Sequence, residues 1–270
     1  MNATTAAEVV VRERSLPVRA VRDAIAVTWR NLIAYRRVPQ LLVFSTIQPV
    51  IFVLMFRYVF GGAIDAGAIP YVDYLMPGIF VQTVVFGAIA TAIGLASDMK
   101  SGLMERFRSL PMARSAVLAG RTMADLTRNV FVVLLMVAVG SAVGFRVHTD
   151  AIGLITGILL LLLFGYAMSW IFATVGLAVG DPETAQAAAF PVLAPLVFAS
   201  SLFVPVGTMP GWLQPWAEHQ PVSVTADAVR YLVIGEAGGD AADVWQALAW
   251  CVAILLVFAP IAVRRYRRAI

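Results

Sequence analysis

Six apolar runs of about 20 residues recur along the chain with short polar breaks between them, and that is the length an α-helix needs to cross the hydrocarbon core of a bilayer. They lie near 40–60, 78–97, 122–144, 152–179, 185–204 and 245–263. A transmembrane β-barrel would show alternating segments of about 10 residues, and that pattern is missing. The runs therefore predict an all-α integral membrane protein. Composition agrees, because only 13% of the 270 residues are charged, against roughly 25% in a soluble domain.

The polar breaks set the orientation. The break from Asp98 to Arg121 gathers Lys100, Arg106, Arg108, Arg114 and Arg121 between two apolar runs. Short loops rich in Lys and Arg stay on the cytoplasmic side. With six spans, this break, the basic N-terminal region and the closing Arg264-Arg265-Tyr266-Arg267-Arg268 all fall on one side, so both termini are expected inside. Gly61 to Pro77, with Asp65 and Asp73 and no basic residue, suits an external loop. Asp181-Pro182-Glu183 is the other inner break; it has no basic residue, but acidic residues weigh little in this rule. The net charge of +4 thus reads as membrane topology and not as nucleic-acid binding.

Three segments follow. Residues 1–16 are small, polar and charged, and are expected to be disordered. Residues 17–38 place Val18, Val21, Ile25, Trp29 and Leu32 at helical spacing with arginines elsewhere around the turn, the pattern of an amphipathic helix lying in the membrane interface. Residues 39–270 form the six-span domain. Between the fifth and sixth runs the chain is rich in Pro, Gly and Trp, too broken to span, and reads as external, with short helices near Trp212–Glu218 and Val224–Ile234.

The sequence narrows the chemistry mostly by exclusion. Lys100 is the only lysine, and in Gly94-Leu-Ala-Ser-Asp-Met-Lys-Ser101 a Met stands where a P-loop needs its second Gly. No nucleotide is expected on this chain through a Walker motif. Cys251 is alone, and His148 and His219 fall in different loops without an acidic cluster, so neither disulfides nor a metal site are expected. Asp181 and Glu183 are placed inside and Glu218 and His219 outside, so no catalytic constellation converges. No acidic residue lies near the middle of a run, which argues against a proton antiporter. Asp125 and Arg128 are placed at the inner end of the third span, where three-residue spacing would let them pair. Arg57 is placed near the outer end of the first, snorkelling to the interface. The first 38 residues hold no apolar h-region, so no cleavable signal peptide is expected.

Taken together and in order, several pieces resemble the membrane subunits of ABC-2 type transporters, most closely the permeases of the daunorubicin-resistance group. They are the interfacial helix, the six runs, the break with Glu105-Arg-Phe-Arg-Ser-Leu-Pro-Met-Ala-Arg114, the run Phe190 to Pro205, then Met209-Pro-Gly-Trp-Leu213 and Gln220-Pro-Val-Ser223. The resemblance implies a half-transporter in a bacterial plasma membrane: two copies of the chain around a central pathway, resting on two separately encoded ATPase subunits that hold the ATP and Mg. It implies that the interfacial helix, with Arg22 and Arg30, and a short helix near Ser101–Arg108, with Ser101, Glu105, Arg106, Arg108 and the following Arg114, contact that ATPase. Trp212, Trp216 and Glu218 fall on the external helices. The implied cargo is a hydrophobic or amphiphilic drug or lipid, with Phe190, Phe198, Phe203 and Met209 as candidate pathway lining. A permease for a glycan or glycolipid, or a membrane scaffold without transport, is the alternative.

Overall fold

A computed structural model describes residues 16–37, 40–64, 69–102 and 114–268, and regular structure among them is helical throughout. The elements are α1 (Leu16–Arg37), α2 (Gln40–Leu54), which continues into a π-helical stretch Met55–Phe60, α3 (Tyr71–Gly87), α4 (Ile89–Lys100), α5 (Arg114–Ala142), α6 (Ala151–Val179), α7 (Pro182–Phe198), α8 (Gln214–His219), α9 (Pro221–Ile234) and α10 (Ala241–Arg268). Among the described residues four stretches are long and apolar enough to cross a membrane: Tyr71–Lys100, Leu118–Ala142, Ala151–Val179 and Ala241–Tyr266. Thr46–Phe60 is a shorter apolar helix, and α7 has 17 residues. This is a multi-pass membrane protein.

Two helices start earlier than the apolar runs suggested. The helix of the second apolar run begins at Tyr71, so Asp73 and Pro77 are helical and not part of a loop. Asp73 sits in the first turn, where the helix dipole favours an acid. Its buried carboxylate accepts the Arg146 backbone N–H at 3.0 Å and lies 2.8 Å from His148 Nε2, which ties α3 to the turn between α5 and α6. Likewise α5 begins at Arg114, and Asp125 and Arg128 lie well inside it, 1% and 7% exposed, instead of at its inner end. Arg57 lies in the π-helical stretch with its Nε buried and without a hydrogen-bond partner.

α3 occupies the centre. Every residue from Tyr71 to Val85 is buried, and the helix touches α2, α5, α6, α7 and α9. A helix apolar on all sides belongs in such a position. Lipid is as apolar as Leu, so helix association rests on close packing and on small residues. α1 shows this: a Cβ on Gly120 would collide with Val27 and the Ala24 carbonyl, so the glycine lets α1 lie directly on α5. Thr28 Oγ1 donates to the Gly120 carbonyl at 3.1 Å across that contact. Ile25 and Trp29 remain outward, 63% and 66% exposed.

α6 ends at Gly180, whose φ of 73° suits glycine, and Asp181 caps α7 by accepting the Thr184 N–H at 3.0 Å. Lys100, at the end of α4, donates to Asp181 at 2.7 Å. At the other end of the bundle a single side chain gathers three elements. Arg230 of α9 is fully buried; its Nε donates to the Tyr74 carbonyl at 2.9 Å, and Nη2 donates to the Ser201 and Leu202 carbonyls at 2.7 and 3.1 Å. Nη1 serves Asp227 and the Ser201 hydroxyl, and the Tyr74 ring lies 3.8 Å from the guanidinium. The turn after α7 is thereby fastened to α3 and α9.

Candidate functional site

A cavity of about 660 Å³ opens between α2, α3, α4, α5 and the first turns of α7. Part of its wall is apolar, from Pro49, Phe86, Ile89, Ala90, Ile93 and Val132. The rest is polar, from Gln48, Gln82, Thr83, Ser97, Asp98, Arg121, Arg128, Asn129 and Gln186. Ionisable side chains inside an apolar bundle are costly and mark functional sites by default.

The two arginines are accommodated by two glycines. Gly87 and Gly94 are seven residues apart on the α3–α4 stretch, and Arg121 and Arg128 are seven apart on α5. The helices run antiparallel, so the pairs meet as two rungs roughly 10 Å apart. A Cβ on Gly94 would overlap the Arg121 guanidinium, and one on Gly87 would press on Arg128 Nη2 and Asn129 Oδ1. The helix is interrupted between these glycines at Ala88, where the Thr91 N–H bonds the Ala88 carbonyl at 3.0 Å. Arg128 Nη2 donates to the Gly87 carbonyl at 2.6 Å and to Asn129 Oδ1 at 3.2 Å. At the lower rung Arg121 Nη2 donates to the Ala90 carbonyl at 3.2 Å, while its carboxylate neighbours are more distant, Asp98 at 3.8 Å and Asp125 at 3.9 Å. Asp125 accepts the Thr91 hydroxyl.

The charges continue outward. Arg30 of α1 lies 3.5 Å from Asp98, so a chain of ion pairs links the interfacial helix through Asp98 and Arg121 to Asp125. Gln82 completes the wall at the far end. It is 2% exposed and its Oε1 has no hydrogen-bond partner.

None of the aromatic residues expected to line a pathway borders this cavity. Phe203 is 6% exposed and stacks on Phe56 with centroids 4.6 Å apart; Phe190 and Phe198 are exposed on α7, and Met209 is half-buried beyond it. Of the residues expected to meet an ATPase, Glu105, Arg106 and Arg108 lie outside the described residues, as does most of the short helix expected there. Ser101 and Arg22 are exposed, Arg30 joins the ion-pair chain, and Arg114 opens α5. Trp212, Trp216 and Glu218 are exposed, the last two on α8 and Trp212 just before it. Among the described residues no group of His, Cys, Asp and Glu could hold a metal ion. The cavity residues that sequence reasoning missed carried one signal, the matching seven-residue spacing of two glycines and two arginines on consecutive helices.

Comparison with known proteins points the same way. The ABC-2 type transporter family matches residues 22–234. The chain is 37% identical over 255 residues to a daunorubicin resistance ABC transporter permease protein, DrrB1, of Streptomyces coeruleorubidus, covering 94% of this chain and 89% of the relative. It is 29% identical over 231 residues to a probable doxorubicin resistance permease, DrrC, of Mycobacterium tuberculosis, with 83% and 81% covered. A putative transport permease of Pyropia yezoensis is 25% identical over 222 residues, with 78% and 74% covered. The chain therefore belongs to the ABC-2 type transporter family of membrane permeases.

Proposed function

We propose that the chain is the membrane half of an ATP-driven exporter that moves hydrophobic or amphiphilic drugs or lipids out across the bacterial plasma membrane. α2 with its π-helical stretch and α7 join the four long stretches to make six spans, and both termini face the cytoplasm. α8 and α9 lie on the outer side without crossing, and residues 17–38 lie along the inner interface. Two copies stand side by side, and each rests on an ATPase subunit that holds ATP and Mg.

The observation that carries this reading is the cavity, a space lined by both apolar and polar side chains inside the family's membrane scaffold. Such a wall suits a cargo that is itself two-sided. The names of two relatives, daunorubicin and doxorubicin resistance permeases, support drug export. The ion-pair chain from Arg30 to Asp125 offers a physical route by which movement of α1 could be felt at the cavity. On this reading Arg22, Arg30, Ser101, Glu105, Arg106, Arg108 and Arg114 form the ATPase contact through charged pairs across a wet interface.

The test is co-purification with a co-encoded ATPase, followed by hydrolysis measured in lipid across a panel of amphiphilic drugs and lipids. A stable complex whose hydrolysis rises with particular compounds is expected. Glu105→Arg should break the coupling of hydrolysis to export while the chain still inserts. Absence of any complex would refute the reading.

A further inference from the structure

We propose that the cavity selects cargo by its acceptor oxygens: an acidic headgroup, phosphate or carboxylate, sits against the Arg121 and Arg128 rungs while its apolar chain lies on Phe86 and Ile93. This rests on the export reading and adds the class of cargo.

The charge of the wall argues first. Two guanidinium groups face the cavity and Asp98 is the one acidic residue in its lining. That carboxylate already lies within 4 Å of two arginines, at 3.5 Å from Arg30 and 3.8 Å from Arg121. Asp125 is the second carboxylate beside Arg121, and neither carboxylate comes within hydrogen-bond length of that guanidinium.

The coordination of Arg121 argues next. A charge-assisted hydrogen bond closes to about 2.7–2.9 Å. Arg121 meets its two carboxylates at 3.8 and 3.9 Å, bonds the Ala90 carbonyl at 3.2 Å, and keeps its Nε buried without an acceptor. A guanidinium has five donors in a fixed fork that matches the paired oxygens of a phosphate or carboxylate. An acidic headgroup supplies the close acceptors that the protein leaves out.

Gln82 adds the complementary half. Its Oε1 is buried in the wall with no donor to satisfy it, a cost in a low-dielectric interior unless a ligand provides one. A hydroxyl on the cargo, such as the P–OH of a singly ionised phosphate, meets that need. A quaternary ammonium offers neither an acceptor to Arg121 nor a donor to Gln82.

The test uses the full chain in neutral detergent, with native mass spectrometry counting bound dodecyl phosphate, dodecanoate and dodecyltrimethylammonium. Dodecyl phosphate should bind at least about tenfold more tightly than the ammonium of equal chain length, the ratio expected from one charge-assisted contact. Binding by dodecanoate assigns the site to acceptor oxygens in general; failure of dodecanoate assigns it to phosphate. Gln82→Met, close in volume, and Arg121→Gln should each weaken dodecyl phosphate and bring the two head groups within about twofold. Arg121→Gln can disturb folding, so Gln82→Met stands as the independent variant. Equal binding of phosphate and ammonium by the unaltered chain, or a preference untouched in both variants, overturns the proposal. Drug-stimulated hydrolysis without the phosphate preference would defeat this proposal and leave the export reading standing. The preference without any ATPase complex would do the reverse.

Discussion

Replacing Arg230 by Met should loosen the end of the bundle where α9 meets α3 and the turn after α7 more than any single loss of apolar contact there. The guanidinium is fully buried, and its donors serve the Tyr74, Ser201 and Leu202 carbonyls, the Ser201 hydroxyl and Asp227. Met fills a similar volume but donates nothing. Three carbonyls lose a charged donor and the Asp227 carboxylate loses its cation. Hydrogen bonds to a charged group contribute roughly 1.5–3 kcal/mol each, but they are not additive when one side chain makes them all. Removing one partner of a buried ion pair costs about 3–5 kcal/mol, and Asp227, with 30% of its side chain exposed, draws the figure toward the lower end. For a chain of this length that is a fall in melting temperature of about 10 °C. Tryptophan fluorescence during heating in detergent reads it, since Trp212 and Trp216 lie in the segment that Arg230 helps fasten. Arg230→Lys keeps the charge without the fork and should recover only part of the loss. Adding Asp227→Asn to Arg230→Met should also recover part, because no carboxylate is then left without its cation. A fall of under about 2 °C for Arg230→Met would refute the reasoning.

Further outcomes follow from other contacts. Gly94→Val, which drives a side chain into the Arg121 guanidinium, should cost about 1–3 kcal/mol in the same melt, whereas Gly62→Val, with open space around its Cβ, should cost little. The hydrogen bond from Lys100, with those from Thr184, holds the Asp181 carboxyl at about 2, below its ordinary 3.8. A depressed carboxylate contributes stability that is complete above 3.8 and fades as pH falls toward 2, so protection from hydrogen exchange at the first turn of α7, taken relative to the intrinsic rate at each pH, should be steady from pH 5 to 8 and fall only in acid. Should that protection already fall near pH 6, the assignment fails. Gly120→Leu should lift α1 from α5 and, if α1 carries the ATPase contact, lower the amount of ATPase that co-purifies, with insertion unchanged.

Much of the fold is legible in the sequence because lipid allows so few solutions. Each apolar run had to become a helix, and the Pro-rich stretch between α7 and α10 had to be short and broken. The starts of α3 and α5 were less legible, for a physical reason. Asp73, Arg121, Asp125 and Arg128 lower the hydropathy of their segments, but each finds its partners inside the protein and not in water. Hydropathy measures compatibility with lipid and is silent about a polar group that faces another helix. Arg230 was hidden for the same reason, since on a short helix that does not span it reads as a solvated residue. The cavity was the least legible part, because its wall is assembled from five helices and only the seven-residue match between two glycines and two arginines hinted at it. Phe190, Phe198 and Phe203 do not border it, since residue type alone does not say which way a side chain points.

The central claim, that cargo passes through this cavity under ATP, is met most directly by plugging it. Ala90 lies in the wall and contributes only its carbonyl to the polar network. Ala90→Trp occupies the space and leaves Arg121, Arg128 and Gln82 in place. In proteoliposomes holding the chain with its ATPase, ATP-dependent export of a stimulating amphiphile should fall at least about tenfold, while basal hydrolysis persists and the variant inserts at the usual level. Export at the unaltered rate by a properly inserted Ala90→Trp chain would contradict the account.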